Sequence, residues 1–357
     1  MRIPIELKLL ENEILSSWLI RNSIANGSEP SSWVSGIWHN FRAWTRDIDR
    51  HLPKDKINKL SKITSLSREQ IRAMTLEPIF EKITSDRSLN PKKTWLFVIP
   101  TGNRGTTKIN GMHFCKECFK EKTPYIRKEW RFAWNVACAK HKELLLCRCQ
   151  NCNKAFSPHK VDYINTQIYK CTNCSYDLRL SDVIIANNEV IKFQNKLNDA
   201  VFNDIIDTEF PILEKNQYEL FSTIRAFISF FKYLKRIKKR YTLFEKINFH
   251  EELNLSKYPK GTTFESMSVI DRQKLLLLVS KLFTLNIDEI KQLLTETHIS
   301  KKTLLEQVFV TSKTLDYLAE NLVNHNNKIS SIDKSVKIKP RSKDEVEALM
   351  DEIRPFI

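Results

Sequence analysis

The residues best suited to chemistry are cysteines, and all eight lie between Cys115 and Cys174 of the 357-residue chain. Seven of them, together with His141, form four pairs with a two-residue gap, which lets both side chains of a tight turn reach one metal ion. The first set is Cys115, Cys118, Cys138 and His141, and the second is Cys149, Cys152, Cys171 and Cys174. This spacing predicts two tetrahedral zinc sites, so two Zn²⁺ ions per chain.

Both predicted sites are closed. Four protein ligands leave no position for a water molecule, which is typical of structural rather than catalytic zinc. Disulfides are the alternative, but they belong mainly to small secreted domains, and the segment 1–6 lacks the apolar core of a signal peptide. Cys147 is left over: it could exchange into the second site, and we expect a free thiol.

Composition favours a helical protein with an anionic partner. Six glycines argue against a glycine-rich phosphate loop, and a net charge of +16 attracts polyanions, nucleic acid ahead of an anionic membrane. The longest aliphatic run, 275–279, is too short to span a bilayer. We therefore expect a cytoplasmic, reducing environment.

Apolar residues recur at helical spacing through most of the chain, which predicts a mainly α fold. The predicted regions are 1–90, helical and helix-turn-helix-like; 91–111, a linker; 112–180, tandem zinc-finger or zinc-ribbon modules; 181–258, helical with a basic patch; and 262–357, C-terminal and helix-turn-helix-like. Within the linker, the apolar run 95–99 could form one strand.

Two basic stretches are candidate nucleic-acid contacts. A helix at 56–63, a turn, and a second helix capped by Ser67 resemble a helix-turn-helix that would present Arg68, Gln70 and Arg72 to a major groove. The alternative is a helical hairpin that only packs. Cations crowd residues 232–240, and the candidate phosphate contacts there are Lys235, Arg236, Lys238 and Lys239. They could instead be solvated charges that favour a helix C-terminus.

Two other stretches are predicted to have structural roles. Asp47 and Asp49 could form a two-carboxylate site, but Arg46 and Arg50 flank them, which favours local ion pairs. Aromatic and arginine side chains alternate in 125–132 and could stack on bases. Core packing is the favoured interpretation, because a zinc module needs a small core of its own.

The order of these features resembles the TniQ/TnsD family of transposon target-selection proteins. The resemblance covers about the first 175 residues and follows Pro4, 13–21, 44–49, 71–76, 114–118, Tyr125, 130–131, 138–141, 144–145 and 149–152. The chain departs from the commoner pattern in having Gln150 and Asn153 where proline and glycine usually stand, and in the extra Cys147.

The resemblance implies a bacterial accessory protein that acts on DNA without chemistry of its own. Family members choose the insertion site, by binding a DNA sequence or by joining a CRISPR guide-RNA complex, and they recruit the transposon's AAA+ ATPase. A second copy of the chain, forming a homodimer, is a further candidate partner. The length lies nearer the shorter members, which are associated with the RNA-guided route.

Two other functions stay open. A stand-alone, sequence-specific DNA-binding protein would bind its operator tightly without partners. A zinc-dependent nucleic-acid enzyme would need an open metal position and a glutamate base, as in the H-x-E and P-C-x-x-C deaminase pattern. His141 and Glu143 supply H-x-E here, but His141 already completes a C-x-x-H pair and the second motif is missing.

Overall fold

The chain folds mainly into α-helices, but the described residues between Phe119 and Asn188 contain only short 3-10 turns and irregular backbone. The computed structural model describes residues 2–84, 95–101, 111–163, 165–234, 240–255, 257–259, 261–305 and 312–323, and over these ranges it contains no strand. The helices are α1 (Leu15–Ala25), α2 (Pro30–Ile37), α3 (Ala43–Arg46), α4 (Lys54–Ile63), α5 (Arg68–Ala73), α6 (Glu77–Ile83), α7 (Lys116–Phe119), α8 (Asn188–Phe202), α9 (Gln217–Leu234), α10 (Arg240–Lys246), α11 (Val269–Leu282), α12 (Ile287–Glu296), α13 (Lys301–Leu305) and α14 (Lys313–Ala319). Among the described helices, none has the length and hydropathy needed to cross a membrane.

The first five helices close around their own apolar cluster. Trp18, Trp38, Leu60 and Ile71 are buried together there. The predicted capping box is confirmed, since the Ser67 hydroxyl accepts from the Gln70 amide and the Gln70 side chain accepts from the Ser67 amide. The helix-turn-helix-like region is thus a set of short helices, with α5 packed through Ile71 against α4.

Helix α2 begins without a side-chain cap. Pro30 occupies its first turn, where the missing N–H costs nothing, so the helix starts before Ser31 and Ser32. It ends at Ile37, and Trp44 lies in α3.

A larger core runs from Ile14 through the cysteine-rich region to Leu322. Aromatic rings dominate its centre. The ring of Phe132 stacks on that of Trp134 with 4.5 Å between their centroids, and the centroid of Trp134 lies 4.7 Å from that of Phe221 in α9. The region boundaries drawn from the sequence stay predictions, but this apolar core is continuous across residues 112, 181 and 262.

The run 95–99 is buried in this core and is not a strand. Phe97 has a φ of 62°, which a strand does not allow, and only Val98 forms a bridge, to Phe132. The Phe97 amide donates to the carboxylate of Glu265 at 2.6 Å. A distant carboxylate therefore satisfies the backbone donor that a neighbouring strand would otherwise have satisfied.

A fully buried arginine joins the N-terminal helices to the cysteine-rich region. Arg131 donates to Asp49 at 2.8 Å, to Asp47 at 2.7 Å and to the carbonyl of Ile99 at 3.0 Å. Asp49 also accepts from the amide and hydroxyl of Ser16, at 2.8 and 2.7 Å. Burial opposes ionisation here: it raises the pKa of Asp49 to about 6 against the lowering effect of Arg131.

Local ion pairing accounts for only part of this arrangement: burial lowers the pKa of Arg50 and the charge of the neighbouring Asp47 opposes that, but both carboxylates bond to the distant Arg131. Arg46 is exposed and its guanidinium lies 5.7 Å from the ring centroid of Phe41. The guanidinium of Arg50 lies 4.7 Å from the ring centroid of Trp95.

The interpretation of 125–132 as core agrees with the burial of Trp130 and its neighbours.

The C-terminal half packs around α9, which contacts α6, α11, α13 and α14. Buried Glu219 of α9 accepts from the amide and hydroxyl of Thr314, each at 2.6 Å, and the Ser312 side chain caps α14. Helices α11 and α12 follow each other closely, and a second capping box at Asn286 begins α12.

We expect Arg131→Ala to lower the free energy of unfolding by about 3 kcal/mol, because it leaves two buried carboxylates without their cation. Urea denaturation with metal present would measure this. Arg46→Ala is the matched control, and its exposed side chain should contribute less than about 0.5 kcal/mol. Equal losses in the two variants would contradict the assignment of the buried pair.

Candidate metal centres

The first cysteine group is built on two tight turns. Cys115 precedes the single-turn helix α7 and Cys118 lies within it, while Cys138 and His141 belong to a turn closed by the bond from the Cys138 amide to the Glu143 carbonyl at 2.9 Å. The Nδ1 atom of His141 lies 3.4 Å from the sulfurs of Cys115 and Cys118 and 3.5 Å from that of Cys138. All four ligand atoms converge on one point.

The second group has four sulfurs in the same kind of arrangement. Cys149 lies 3.7 Å from Cys174, and Cys152 lies 3.6 Å from Cys171, measured between sulfur atoms. Each pair sits in a turn whose following residue, Asn153 or Ser175, has a positive φ. This backbone form turns both thiols of a pair to the same side.

These distances match a coordination tetrahedron. Metal–sulfur bonds of about 2.3 Å give sulfur–sulfur edges of about 3.8 Å, and a nitrogen at about 2.05 Å gives sulfur–nitrogen edges of about 3.5 Å. Within each group the four ligand atoms lie within 4.8 Å of one another. The sulfurs are too far apart for disulfides, whose bond length is about 2.05 Å. Each group could therefore hold one metal ion.

Without a metal ion, the thiols of the first group differ in pKa. Donation from the thiols of Cys115 and Cys118 lowers the pKa of Cys138 to about 2. In the second group burial raises the pKa of Cys149 to about 12. Several thiolates at these distances repel one another, so full ionisation needs a cation among them.

The two groups are held together by a small aromatic core and one glycine. Phe114 stacks on Phe119 at 5.3 Å and contacts Phe156 at 4.8 Å. Gly111 lies against that core: a Cβ there would sit 2.3 Å from the Phe156 nitrogen and 2.5 Å from the Cys147 carbonyl. Only glycine allows this close approach between the chain before the first group and the chain entering the second.

A comparison with known protein families gives a match to the N-terminal part of the chain. Residues 4–145 fit the TniQ family model. Over these residues the chain is similar to TniQ proteins. A search among curated proteins finds no match. The TniQ match includes α1 to α7 and the first cysteine group, and the second cysteine group lies beyond it.

Within the TniQ region, residues 4–145, the three candidate base contacts differ in whether their side chains are already hydrogen-bonded. Arg68 is exposed, but the Gln70 side chain is occupied by the capping box. Arg72 donates to Glu77 at 3.3 Å and to Glu81 at 2.6 Å. A major-groove role for this short helix stays a prediction, and two of its three side chains would first have to give up these bonds.

The candidate phosphate contacts lie outside the described residues: Lys235, Arg236, Lys238 and Lys239. Cys147 belongs to neither metal group, it is half-buried, and burial raises the pKa of its thiol. The H-x-E pattern does not provide an open metal position, because His141 directs Nδ1 at the three sulfurs of its own group.

Sequence reasoning missed a second buried arginine. Arg272 of α11 donates to the carbonyl of Ala133 at 2.9 Å and lies 2.6 Å from the Nε2 atom of His113. Burial and then the charge of Arg272 hold the pKa of His113 well below its usual range, so His113 is a neutral acceptor. Its place two residues before Cys115 gave no local signal of a partner on α11.

We expect the purified chain to bind two metal ions, and Cys115→Ser or Cys174→Ser to remove one ion each, because each change breaks one ligand set. Cys147→Ser is the matched control and should retain both. Elemental analysis of the folded proteins measures this. Loss of an ion from the Cys147 variant, or one ion in the unmodified chain, would contradict the partition into two groups.

Proposed function

We propose that this protein is a target-selection adaptor for DNA transposition. It would link a target DNA, or a guide-RNA complex bound to that DNA, to the AAA+ ATPase of a transposon. The TniQ match over residues 4–145 is the observation that carries the proposal. The net charge of +16 supports contact with a nucleic acid or its complex.

Zinc is the proposed occupant of both metal groups. Three thiolates with an imidazole and four thiolates are donor sets that select zinc in proteins, and closed tetrahedra of this kind are structural. Bound zinc would supply folding free energy, on the order of 10 kcal/mol for a structural site. The ligands would be Cys115, Cys118, Cys138 and His141 in one site and Cys149, Cys152, Cys171 and Cys174 in the other.

The proposed mechanism is binding without catalysis. A protein that only binds can redirect recombination when it favours one state or location of its partners over another. Arg131 bonds the cysteine-rich region to the chain before α4, and Arg272 bonds it to α11, so partners docked on the N-terminal or the C-terminal helices would be held at a fixed spacing. Such fixed spacing is what an adaptor between a target complex and an ATPase requires.

We expect the full-length protein to determine where the transposon's AAA+ ATPase assembles. Purified protein, ATPase, ATP and a DNA carrying the target would be mixed, and ATPase occupancy would be mapped along the DNA by footprinting. The controls are the same DNA with the target scrambled and a reaction without the protein. If the protein neither binds the ATPase nor moves its footprint, a stand-alone DNA-binding protein becomes the better proposal.

A truncation near residue 180 is a poor control for that experiment. Gln194 of α8 accepts from the backbone amides of Val136 and Ala137 at 2.9 and 3.1 Å, and Arg272 reaches back to Ala133. Removing these residues would uncover the core of the TniQ region. Point variants on the surface separate the partners more cleanly.

For nucleic-acid contact, we expect neutralising Lys235, Arg236, Lys238 and Lys239 to weaken DNA binding and to flatten its salt dependence. Each lost phosphate contact reduces the slope of log K against log salt by about 0.9 on duplex DNA. Fluorescence anisotropy at several salt concentrations measures the slope. Neutralising the exposed Lys301 and Lys302 is the control, and an equal slope in both variants would make 235–239 a solvated surface.

A further inference from the structure

The two metal groups differ in how well their sulfur atoms are shielded from solvent. The three cysteines of the first group are all buried, and none is more than 6 % exposed. In the second group two of the four ligands, Cys152 and Cys174, are only half-buried. A chelator or a thiol reagent in solution therefore reaches sulfur atoms of the second group more easily.

The chain around the first group is bonded to distant parts of the fold. Gln194 of α8 donates its side-chain amide to the carbonyl of Ala137 at 2.9 Å. Arg272 of α11 donates to the carbonyl of Ala133, also at 2.9 Å. The turn that carries Cys138 thus opens only if these long helices separate from it, which requires a large part of the fold to unfold.

The turns of the second group are closed mainly by bonds between neighbours in sequence. The Cys171 amide donates to the Tyr176 carbonyl at 2.9 Å, and the Cys149 amide makes the equivalent bond within its own turn. A longer connection is exposed: the Gln150 side chain donates to the Asp182 carbonyl at 2.8 Å and accepts from the Asp182 amide at 2.7 Å. Exposed, local bonds of this kind open at a small cost in free energy.

Opening of these turns would stay local, because the chain on both sides of them is fixed by other contacts. The Phe156 amide donates to the Cys147 carbonyl at 2.9 Å, and the Phe156 carbonyl accepts from the Met112 amide at 3.0 Å. On the other side, Leu178 is 1 % exposed, and the 3-10 turn Leu178–Leu180 packs against α7. Neither set of contacts uses a metal ligand of the second group.

The donor sets add a second difference between the groups. Four thiolates leave one more negative charge around Zn²⁺ than three thiolates and a neutral imidazole do. The thiolate is the form of cysteine that attacks an electrophile or binds another metal ion. The second group thus combines the more negative donor set with the more exposed sulfur atoms.

We propose that the second group is the exchangeable metal centre of this protein. It loses and regains its zinc ion, and its thiolates react with thiol reagents, while the first ion stays bound and the helices stay folded. The first ion is then a fixed part of the fold, and the second lets metal supply change the surface formed by the two ligand turns. The inference rests on the proposed occupancy by zinc and not on the adaptor role.

The experiment uses the full-length protein loaded with zinc and an excess of the chromogenic chelator 4-(2-pyridylazo)resorcinol. We expect zinc to leave in two phases, the first at least about tenfold faster, the range over which contacts that support a site change metal binding. Elemental analysis before chelation separates the two proposals. A chain without zinc would overturn the proposed occupancy, whereas two ions that leave together would overturn only the exchange.

Labelling with N-ethylmaleimide at the end of the fast phase, followed by mass spectrometry, identifies the centre that has opened. We expect the four ligands of the second group to be labelled and the three cysteines of the first group to be protected. Amide hydrogen exchange at the same point should show lost protection in the ligand turns and unchanged protection in α8 and α11. Both measurements use the unmodified chain, so they do not depend on the folding of a variant.

A ligand variant gives an independent check. Cys174→Ser should release its remaining zinc in the slow phase alone, whereas the matched control Cys147→Ser should keep both phases. Three results would overturn the proposal: labelling of Cys115, Cys118 and Cys138 in the fast phase, a fast phase that persists in Cys174→Ser, or loss of protection in α8 and α11 when the first ion leaves.

Discussion

Arg131 imposes the central constraint on this structure, because its charge lies where no water reaches. Burial of the guanidinium lowers its tendency to stay charged, and Asp47 and Asp49 compensate by raising its pKa. A buried ion of this kind is tolerated only with close partners in good geometry. The chain before α4 and the chain between the two cysteine pairs of the first group must therefore meet in one arrangement. The position of α1 follows, since Ser16 at its start donates to the same carboxylate as Arg131.

Local patterns predicted the local features well. The cap at Ser67 and the two cysteine groups depend on residues a few positions apart, or on turns that such residues define. Neither Arg131 nor Arg272 could be assigned a partner, because their partners are far away in sequence.

The misassigned strand at 95–99 shows where periodicity fails. A short apolar run fits a strand, a buried helix segment or an irregular core segment equally well. Here Phe97 has left-handed backbone torsion, and its ring packs edge-on against Trp134, Phe221 and Phe264. Tertiary packing and the carboxylate of Glu265 determine the conformation of this segment, and neither can be recognised from the residues of the segment itself.

The TniQ match ends at residue 145, but the structural unit does not. Gly111 and Phe156 connect the first metal group to the second, and Gln194 and Arg272 bind backbone atoms of the matched region from helices beyond it. These long-range bonds satisfy buried carbonyl and amide groups that would otherwise be unpaired, so the C-terminal helices complete the fold of the TniQ region. A ligand that displaced α8 or α11 would therefore disturb the first metal group as well. Through this direct connection, binding at the C-terminal helices can change the structure around the first metal group.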